Sequence, residues 1–290
     1  MKLTTIGIIM MVLGLVALYP LMFEKPEIRK VENEWGAVNG SVTEIITKVH
    51  VYNPYPVSLP VKSIRTEVYM NGIKMGEGSA VRVEISPRAE SLVVVSTKIN
   101  NSLIPEWWVS HILNGERSVV VVKGKVLFDF WILEWEYPIE MSRTVTTSIL
   151  SGFSLKQVQQ LCIKIENFNV EWGTVSEKRT GMRVSADVHN DCMGPLVLKD
   201  VYYSINVNGV KLGEGVSKIE TTVQPNSKRV VTFEMEINNQ MLEKWWIRHI
   251  ENGELSRGEI TIQPLIEFAG RSFRIPIVKS FDFTTNLLSD

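Results

Sequence analysis

At 290 residues the chain is long enough for two domains of ordinary size, since single domains most often contain about 100–150 residues. Its 31 basic residues nearly balance its 32 acidic residues, and no long run of one sign of charge occurs. This balance argues against a nucleic-acid partner, because proteins that bind nucleic acids present a strongly basic surface to the phosphates.

The first predicted element is a membrane anchor within residues 1–25. The stretch that starts at Leu3 and ends at Phe23 contains no charged residue, and about twenty such residues in a helix cross a hydrocarbon core of ~30 Å. A cleaved signal peptide would have a shorter apolar region and a small-x-small cleavage site, which the residues after Ala17 do not provide. We therefore predict a retained transmembrane helix in contact with the lipid bilayer.

The side of the membrane on which the rest of the chain lies is less clearly encoded. Lys25, Arg29 and Lys30 follow the apolar stretch and favour an inside location, although long domains translocate largely regardless of charge. The N-terminal position of the anchor and a cysteine pair described below favour the opposite side. We expect the domains to lie outside the cytoplasm.

An internal repeat organises the remaining residues. The motif WGAV, which starts at Trp35, returns as WGTV at Trp172, and NGIKMGEG at Asn71 returns as NGVKLGEG at Asn208, both displaced by 137 positions. After one inserted residue, a tryptophan-pair motif returns 138 positions later. A period this long indicates tandem domains, because solenoid units are usually about 20–50 residues long. We assign residues 26–151 to copy one and residues 152–290 to copy two.

Alternating apolar and polar residues predict strands in each copy, as in residues 41–51. Asn71-Gly72 and Asn208-Gly209 lie between apolar runs and favour tight hairpins, because both residues tolerate positive φ angles. From position 101 to 113 apolar residues instead recur every four residues, which is typical of a helix; Asn101 or Ser102 could cap its start.

Each copy is therefore expected to contain about seven strands and one helix. We predict a mainly β chain with two tandem antiparallel β-sandwiches, in which the helix of each copy covers one open end of the sandwich.

With these motifs, both copies resemble the late-embryogenesis-abundant type 2 family, also called the LEA14-like or water stress and hypersensitive response (WHy) domain. The resemblance rests on the strand before Trp35, the V-Y-N-P-Y-P turn around Asn53, the Asn-Gly hairpin and the helix. It implies fibronectin-III-like sandwiches and a link to desiccation and water stress, without a known reaction. Copy two departs at the turn, where Asp191 follows Asn190 in place of a proline.

The adjacent tryptophans of each helix have two interpretations. They could form a lipid- or ligand-facing platform, since tryptophan favours boundaries between water and apolar surroundings. Neighbouring helical positions point about 100° apart, however, so one ring can fill the core while the other covers a flank, and we favour this structural role. We predict that the repeated residues determine the fold: Trp35, Asn53, Asn71, Gly72, Trp107 and Trp108 in copy one, and Trp172, Asn190, Asn208, Gly209, Trp245 and Trp246 in copy two.

No group of residues predicts catalysis, a cofactor or a metal site. His111 and His249 recur with the helix, whereas His50 and His189 have no counterparts in the other copy. Neither an H-E-x-x-H motif nor a G-x-S-x-G motif occurs. We predict structural histidines and a protein that is not an enzyme.

Cys162 and Cys192 lie in the first strand of copy two and in the turn after its second strand. They could approach closely enough to form a disulfide, and two free buried thiols remain the alternative. A disulfide would favour an oxidising compartment outside the cytoplasm.

These features support three hypotheses about function. The first is a non-enzymatic, membrane-anchored scaffold that binds protein partners or protects the cell envelope under stress. The second is a carrier that holds a lipid or small apolar ligand in a groove between sheet and helix. The third is a structural subunit of a surface assembly whose members join through edge strands.

Overall fold

The computed structural model of the protein describes residues 26–129, 134–153 and 158–288. The predicted membrane anchor lies outside these residues. Within the described ranges, no helix combines the length and apolar character needed to cross a bilayer.

Copy one contains seven described strands and one helix, and copy two contains nine described strands and one helix. In copy one the strands are β1 (Glu27–Val38), β2 (Val42–Tyr52), β3 (Leu59–Met70), β4 (Ile73–Ile85), β5 (Glu90–Asn100), β6 (Arg117–Asp129) and β7 (Glu134–Thr146), with helix α1 (Ile104–Leu113) between β5 and β6. In copy two they are β8 (Val158–Gln160), β9 (Ile163–Val175), β10 (Arg179–Asn190), β11 (Leu196–Val207), β12 (Val210–Val223), β13 (Ser227–Asn238), β14 (Leu255–Phe268), β15 (Arg271–Arg274) and β16 (Ile277–Thr284), with helix α2 (Leu242–Glu251) between β13 and β14.

All strand pairings described are antiparallel, and the prediction of a mainly β chain with tandem β-sandwiches is confirmed. The strands of copy one form one continuous sheet in the order β1-β2-β5-β4-β3-β6-β7. Copy two has one sheet in the order β13-β10-β9-β8 and a second in the order β12-β11-β14-β15, with β16 also paired to β14. The two copies thus share a strand plan but differ in whether the two layers are joined by hydrogen bonds.

Glycine allows the two layers to approach each other where β4 meets β5 and where β12 meets β13. A Cβ atom on Gly76 would lie 2.1 Å from the carbonyl oxygen of Lys98, and one on Gly213 would lie 2.1 Å from that of Glu236. No side chain fits at such distances, so the repeated G-E-G motif has a steric cause in both copies.

The Asn-Gly hairpins form at both predicted positions. Asn71 and Gly72 have φ angles of 51° and 83°, and Asn208 and Gly209 have φ angles of 49° and 76°. The side-chain oxygen of Asn71 also accepts a hydrogen bond of 2.8 Å from the backbone N–H of Val119 on β6. The asparagine therefore serves both the turn and the attachment of the hairpin to the next strand.

The helices begin later than the sequence predicts, because a short 3-10 turn precedes each one. Asn100 caps that turn by accepting a hydrogen bond from the N–H of Ser102, so the expected cap at Asn101 or Ser102 is wrong by one residue or more. Asn101 is instead fully buried. Its role belongs to the interface described next.

Candidate functional site: the interface between the two copies

The helices α1 and α2 pack against each other where the two copies meet, and one apolar cluster continues through both copies. The ring centroids of Trp107 and Trp246 lie 5.7 Å apart, and those of Trp108 and Trp245 lie 5.6 Å apart, both with edge-to-face geometry. Equivalent residues thus exchange equivalent contacts, as in an isologous dimer interface. The tandem copies form a pseudo-symmetric pair within one chain.

The tryptophans of β1 and β9, which are equivalent strands of the two copies, complete this aromatic cluster. Trp35 packs edge-to-face on Trp246 at 6.2 Å, and Trp172 packs in the same way on Trp108 at 6.1 Å. Such aromatic pairs contribute about 0.5–1.5 kcal/mol each beyond the burial of area. The tryptophans of both helices are 2–3% exposed, which does not fit a lipid- or ligand-facing platform.

Two buried threonines bind the helices of the opposite copy. The indole N–H of Trp108 donates to the hydroxyl of Thr180, and that of Trp246 donates to the hydroxyl of Thr43, each at 3.0 Å. Both threonines are 0% exposed. Each hydroxyl donates in turn to the side-chain oxygen of a buried asparagine of its own copy, Asn239 for Thr180 and Asn101 for Thr43.

A buried carboxylate in each copy receives the other two indoles. Trp172 donates to Glu116 at 3.0 Å, and Trp35 donates to Glu254 at 3.1 Å. Each carboxylate is 8% exposed and also accepts hydrogen bonds from a threonine hydroxyl and from backbone N–H groups of its own copy. These donors compensate for the loss of water around the buried charge.

The helix histidines connect these carboxylates to a buried serine. In copy one, His111 Nδ1 lies 2.8 Å from the hydroxyl of Ser118, and His111 Nε2 lies 2.9 Å from that of Thr147. Because Thr147 donates its only hydroxyl hydrogen to Glu116, it accepts from His111, which places the ring proton on Nε2. The hydroxyl of Ser118 then donates to Nδ1 and accepts from the indole N–H of Trp107.

Copy two repeats this network with His249, Ser256, Thr285, Glu254 and Trp245. Burial lowers the pKa of both histidines to about 4, and in copy one the nearby charge of Glu116 opposes this shift. Both imidazoles are therefore neutral near pH 7, as the hydrogen bonds require.

Serine, histidine and a carboxylate occur together here, but their arrangement does not support nucleophilic catalysis. Ser118 is 0% exposed and His111 is 1% exposed, so neither side chain is accessible to a substrate. A threonine also separates each histidine from its carboxylate, whereas in a catalytic triad the carboxylate orients the histidine directly. The network instead satisfies polar groups that the interface buries.

A sequence model described as "Late embryogenesis abundant protein" matches residues 48–143 and 185–280, with one match in each copy. The chain belongs to this family. The resemblance to LEA14-like domains is thereby confirmed for both copies, and the protein is a LEA14-like, stress-related protein.

Two solved structures are similar to less than half of this chain. A crystal structure of a protein from Archaeoglobus fulgidus is 33% identical, with a TM-score of 0.42, and the match covers 43% of this chain and 99% of that one. A solution structure of a protein from Arabidopsis thaliana is 17% identical, with a TM-score of 0.34, and the match covers 42% of this chain and 80% of that one. The comparison with curated proteins gave no match.

The turn that carries part of the family resemblance forms in both LEA14-like domains. Asn53 and Asn190 are 0% exposed. The side chain of Asn53 donates to two carbonyl groups, those of Val57 and Ile85, and accepts from the N–H of Tyr55. Asn190 makes the same three types of bond in copy two without a following proline. The asparagine, and not the proline, therefore holds this turn.

Cys162 and Cys192 are joined in a disulfide in the second LEA14-like domain, with their Cα atoms 5.0 Å apart. The backbone N–H of Asp191 also bonds to the carbonyl of Cys162 at 2.8 Å. Cys162 lies in the turn between β8 and β9, one residue before β9, and not within the first strand as the sequence suggested. The bridge thus ties this turn to the Asn190 turn.

The remaining two histidines lie away from the interface and beside carboxylates. His50 lies 2.8 Å from Glu90 and 3.4 Å from Glu32, and His189 lies 2.9 Å from Glu166. Across the ranges that the structure describes, no group of three or more potential ligands could hold a metal ion.

A small cavity lies between Trp108 of the first domain and the core of the second. Its volume is about 20 Å³, and its lining includes Ile205, Leu242, Trp245 and Phe281. That is room for about one water molecule, whereas drug-sized ligands occupy pockets of about 300–1,000 Å³. This space between helix and sheet does not accommodate a lipid.

Several interface residues were missed by the sequence-based interpretation, although the repeat contained the signal. Glu116 and Ser118 belong to an N-G-E-x-S motif that returns at Glu254 and Ser256. Thr147 and Thr285 likewise occupy equivalent positions. Polar residues that recur at strand and helix ends can be assigned to the surface or to a buried network, and only their burial distinguishes the two.

Proposed function

We propose that this protein is a non-enzymatic scaffold, tethered to a membrane, whose two LEA14-like domains act as one rigid body in the protection of the cell envelope under water stress. The cross-copy interface is the observation that carries this proposal. It places Trp35, Trp108, Trp172 and Trp246 between the two domains, with their N–H groups bonded to the opposite copy. The outer surfaces of the pair are then held at a fixed spacing for partners.

The absence of enzymatic activity is proposed on two grounds. The family is generally non-enzymatic. In addition, the residues with the most suitable chemistry, His111, Ser118 and Glu116 and their copies, are buried and committed to hydrogen bonds.

The tether and its orientation rest on other features. The uncharged stretch from Leu3 to Phe23 is long enough to cross a bilayer. The disulfide between Cys162 and Cys192 supports an oxidising environment, and this favours domains that lie outside the cytoplasm. Digestion of both domains by protease added to intact cells is the expected result, and protection until lysis would reverse the orientation.

The stress role can be tested in a strain that lacks the gene. Survival and envelope leakage after desiccation or hyperosmotic shock should worsen, and the full chain should restore both. Val230→Ala, at an exposed position of copy two, should restore them equally, whereas the paired change Thr43→Val and Thr180→Val should restore them poorly. Equal survival of the deletion strain and its parent would remove the stress role.

The same complementation tests the non-enzymatic assignment. Ser118→Ala removes the buried hydroxyl and should reduce protection only as far as it reduces the amount of folded protein. A folded, normally abundant Ser118→Ala protein without any protective effect would indicate chemistry at this residue.

A further inference from the structure

Copy one carries an exposed aromatic pair on its edge strand β7. Trp135 is 50% exposed and Tyr137 is 40% exposed. Several large apolar side chains are exposed within the described ranges, and these two are the aromatic ones. Their ring centroids lie 5.6 Å apart, and Trp135 stacks on Phe128 of β6 at 5.4 Å. The pair therefore extends the small apolar core at this end of copy one into solvent.

Copy two covers the residues at the same positions, one of them fully and the other partly. Phe273 pairs with Ile266 as Trp135 pairs with Phe128. Tyr137 pairs with Val126, and at the equivalent place in copy two the backbone N–H of Ile275 bonds to the carbonyl of Pro264. Ile275 is 2% exposed, and Phe273 packs partly buried against the core. The fold thus does not require exposed aromatic residues here, and copy one exposes apolar area whose burial would be favourable.

Strand register places this pair at the end of copy one where β1 begins. At that end Glu27 pairs with Tyr52, and Tyr52 pairs with Glu90. Across the sheet, the same end continues through the pair Leu59 and Ile85, and through Val61, Phe128 and Trp135 on successive strands. We call it the proximal end. Helix α1 and the interface with copy two lie at the opposite end.

The length of chain before β1 keeps the proximal end close to the predicted anchor. Phe23 ends the uncharged stretch and Glu27 begins β1, so only three residues lie between them. The four Cα–Cα steps from Phe23 to Glu27 span at most about 14 Å. The headgroup layer on each side of a bilayer is roughly 5–8 Å thick, so the start of β1, which belongs to the proximal end, can lie no farther than a few ångströms above it.

We propose that the proximal end of copy one docks on the bilayer, with Trp135 and Tyr137 seated at the headgroup level. This inference rests on the proposed tether and adds to it a second contact with the membrane. Tryptophan and tyrosine favour this depth because their rings are apolar while their N–H and O–H groups stay hydrated. The tether then holds the rigid pair of domains upright instead of leaving it on a flexible joint.

The charges near the pair favour a neutral lipid surface. On the alternate positions of β7, Glu134 pairs with Lys62 and Glu136 pairs with Lys125. At the start of β1, the guanidinium of Arg29 lies 4.0 Å from the ring centroid of Tyr52. Since the carboxylates that flank Trp135 are paired with lysines, docking should depend on aromatic burial and change little with salt.

The test uses the full chain reconstituted into vesicles of phosphatidylcholine. Trp135→Cys carries a polarity-sensitive nitrobenzoxadiazole label, and Val278→Cys, at a position of copy two with similar exposure, carries the same label as a control. Tyr137→Cys provides a second probe if the first variant folds poorly. The unaltered chain, whose two cysteines are bridged, gives the background of labelling.

Flotation and quenching give separate answers. All variants should float with the vesicles, and lipids with a nitroxide near the headgroup should quench the label at position 135 or 137 severalfold more than at position 278. Floating protein with equal, weak quenching at all positions would overturn docking and leave the tether intact. A label shielded from iodide but not quenched by lipid would indicate a second copy of the chain on this face and also overturn docking. Failure to float would refute the tether and the docking together.

Discussion

Replacing Thr180 with valine tests the interface between the two copies most directly. Valine keeps the shape of threonine but removes the hydroxyl that accepts from Trp108 and donates to Asn239. Both partners would remain buried, since Asn239 is 0% and Trp108 is 3% exposed. A buried polar group without a partner costs about 1–3 kcal/mol, so the free energy of unfolding should fall by about 2–5 kcal/mol.

The partner substitution Trp108→Phe removes the same hydrogen bond from the other copy. Thr180 keeps its bond to Asn239 in this variant, so the free energy of unfolding should fall less, by about 1–3 kcal/mol from the lost bond and the smaller ring. In the double variant the N–H group of Trp108 is already absent. The loss of unfolding free energy in the double variant should then be smaller than the sum of the losses in the two single variants, with a coupling energy of about 1 kcal/mol or more.

Urea unfolding followed by tryptophan fluorescence and far-ultraviolet circular dichroism measures these free energies. Both probes should report one common transition, because the copies share a core. Thr43→Val should reproduce the effect of Thr180→Val by pseudo-symmetry, and Thr144→Val, at an exposed position of β7, should change little. Additive effects of Trp108→Phe and Thr180→Val, or two separate transitions, would refute the shared interface.

Three further predictions concern buried groups within the copies. The folded pKa of about 4 for His111 and His249 lies below the unfolded value, so the unfolded chain binds more protons at mildly acidic pH. Lowering the pH from about 7 to about 5 should therefore lower the free energy of unfolding, measured by urea titration, by about 2 kcal/mol per histidine. A free energy that does not change with pH over this range would contradict the neutrality of the two histidines. Mass spectrometry without reductant should find no free thiol at Cys162 or Cys192, and a count of two thiols would exclude the bridge. Because the cysteines are 30 positions apart, reduction should lower the free energy of unfolding by about 3–4 kcal/mol. Thermal unfolding should show Asn53→Ala to be more destabilising than Pro54→Ala, because the asparagine makes all three side-chain bonds of the turn, and the reverse order would show that the proline holds the turn.

Local patterns were sufficient to predict the strands, the hairpins and the helix of each copy. Asn71-Gly72 specified a hairpin because few dipeptides tolerate two positive φ angles, and the structure has these angles. The helix was visible because its period differs from that of the strands around it. The first residue of the helix could not be predicted, because a cap such as Asn100 depends on a 3-10 turn that periodicity does not reveal.

The sequence by itself therefore determined that the chain contains two copies of one mainly β domain and which family that domain resembles, because repeats and periods are properties of the chain. Only the tertiary structure decided what the copies do to each other. Trp108 binds a threonine 72 positions away and Trp246 binds one 203 positions away, and an apolar helix face looks the same whether it covers its own sandwich or a neighbour. Likewise, Trp135 and Phe273 occupy equivalent positions, yet packing leaves the first half exposed and the second partly buried. Burial depends on contacts between distant segments, and these exist only after the chain has folded.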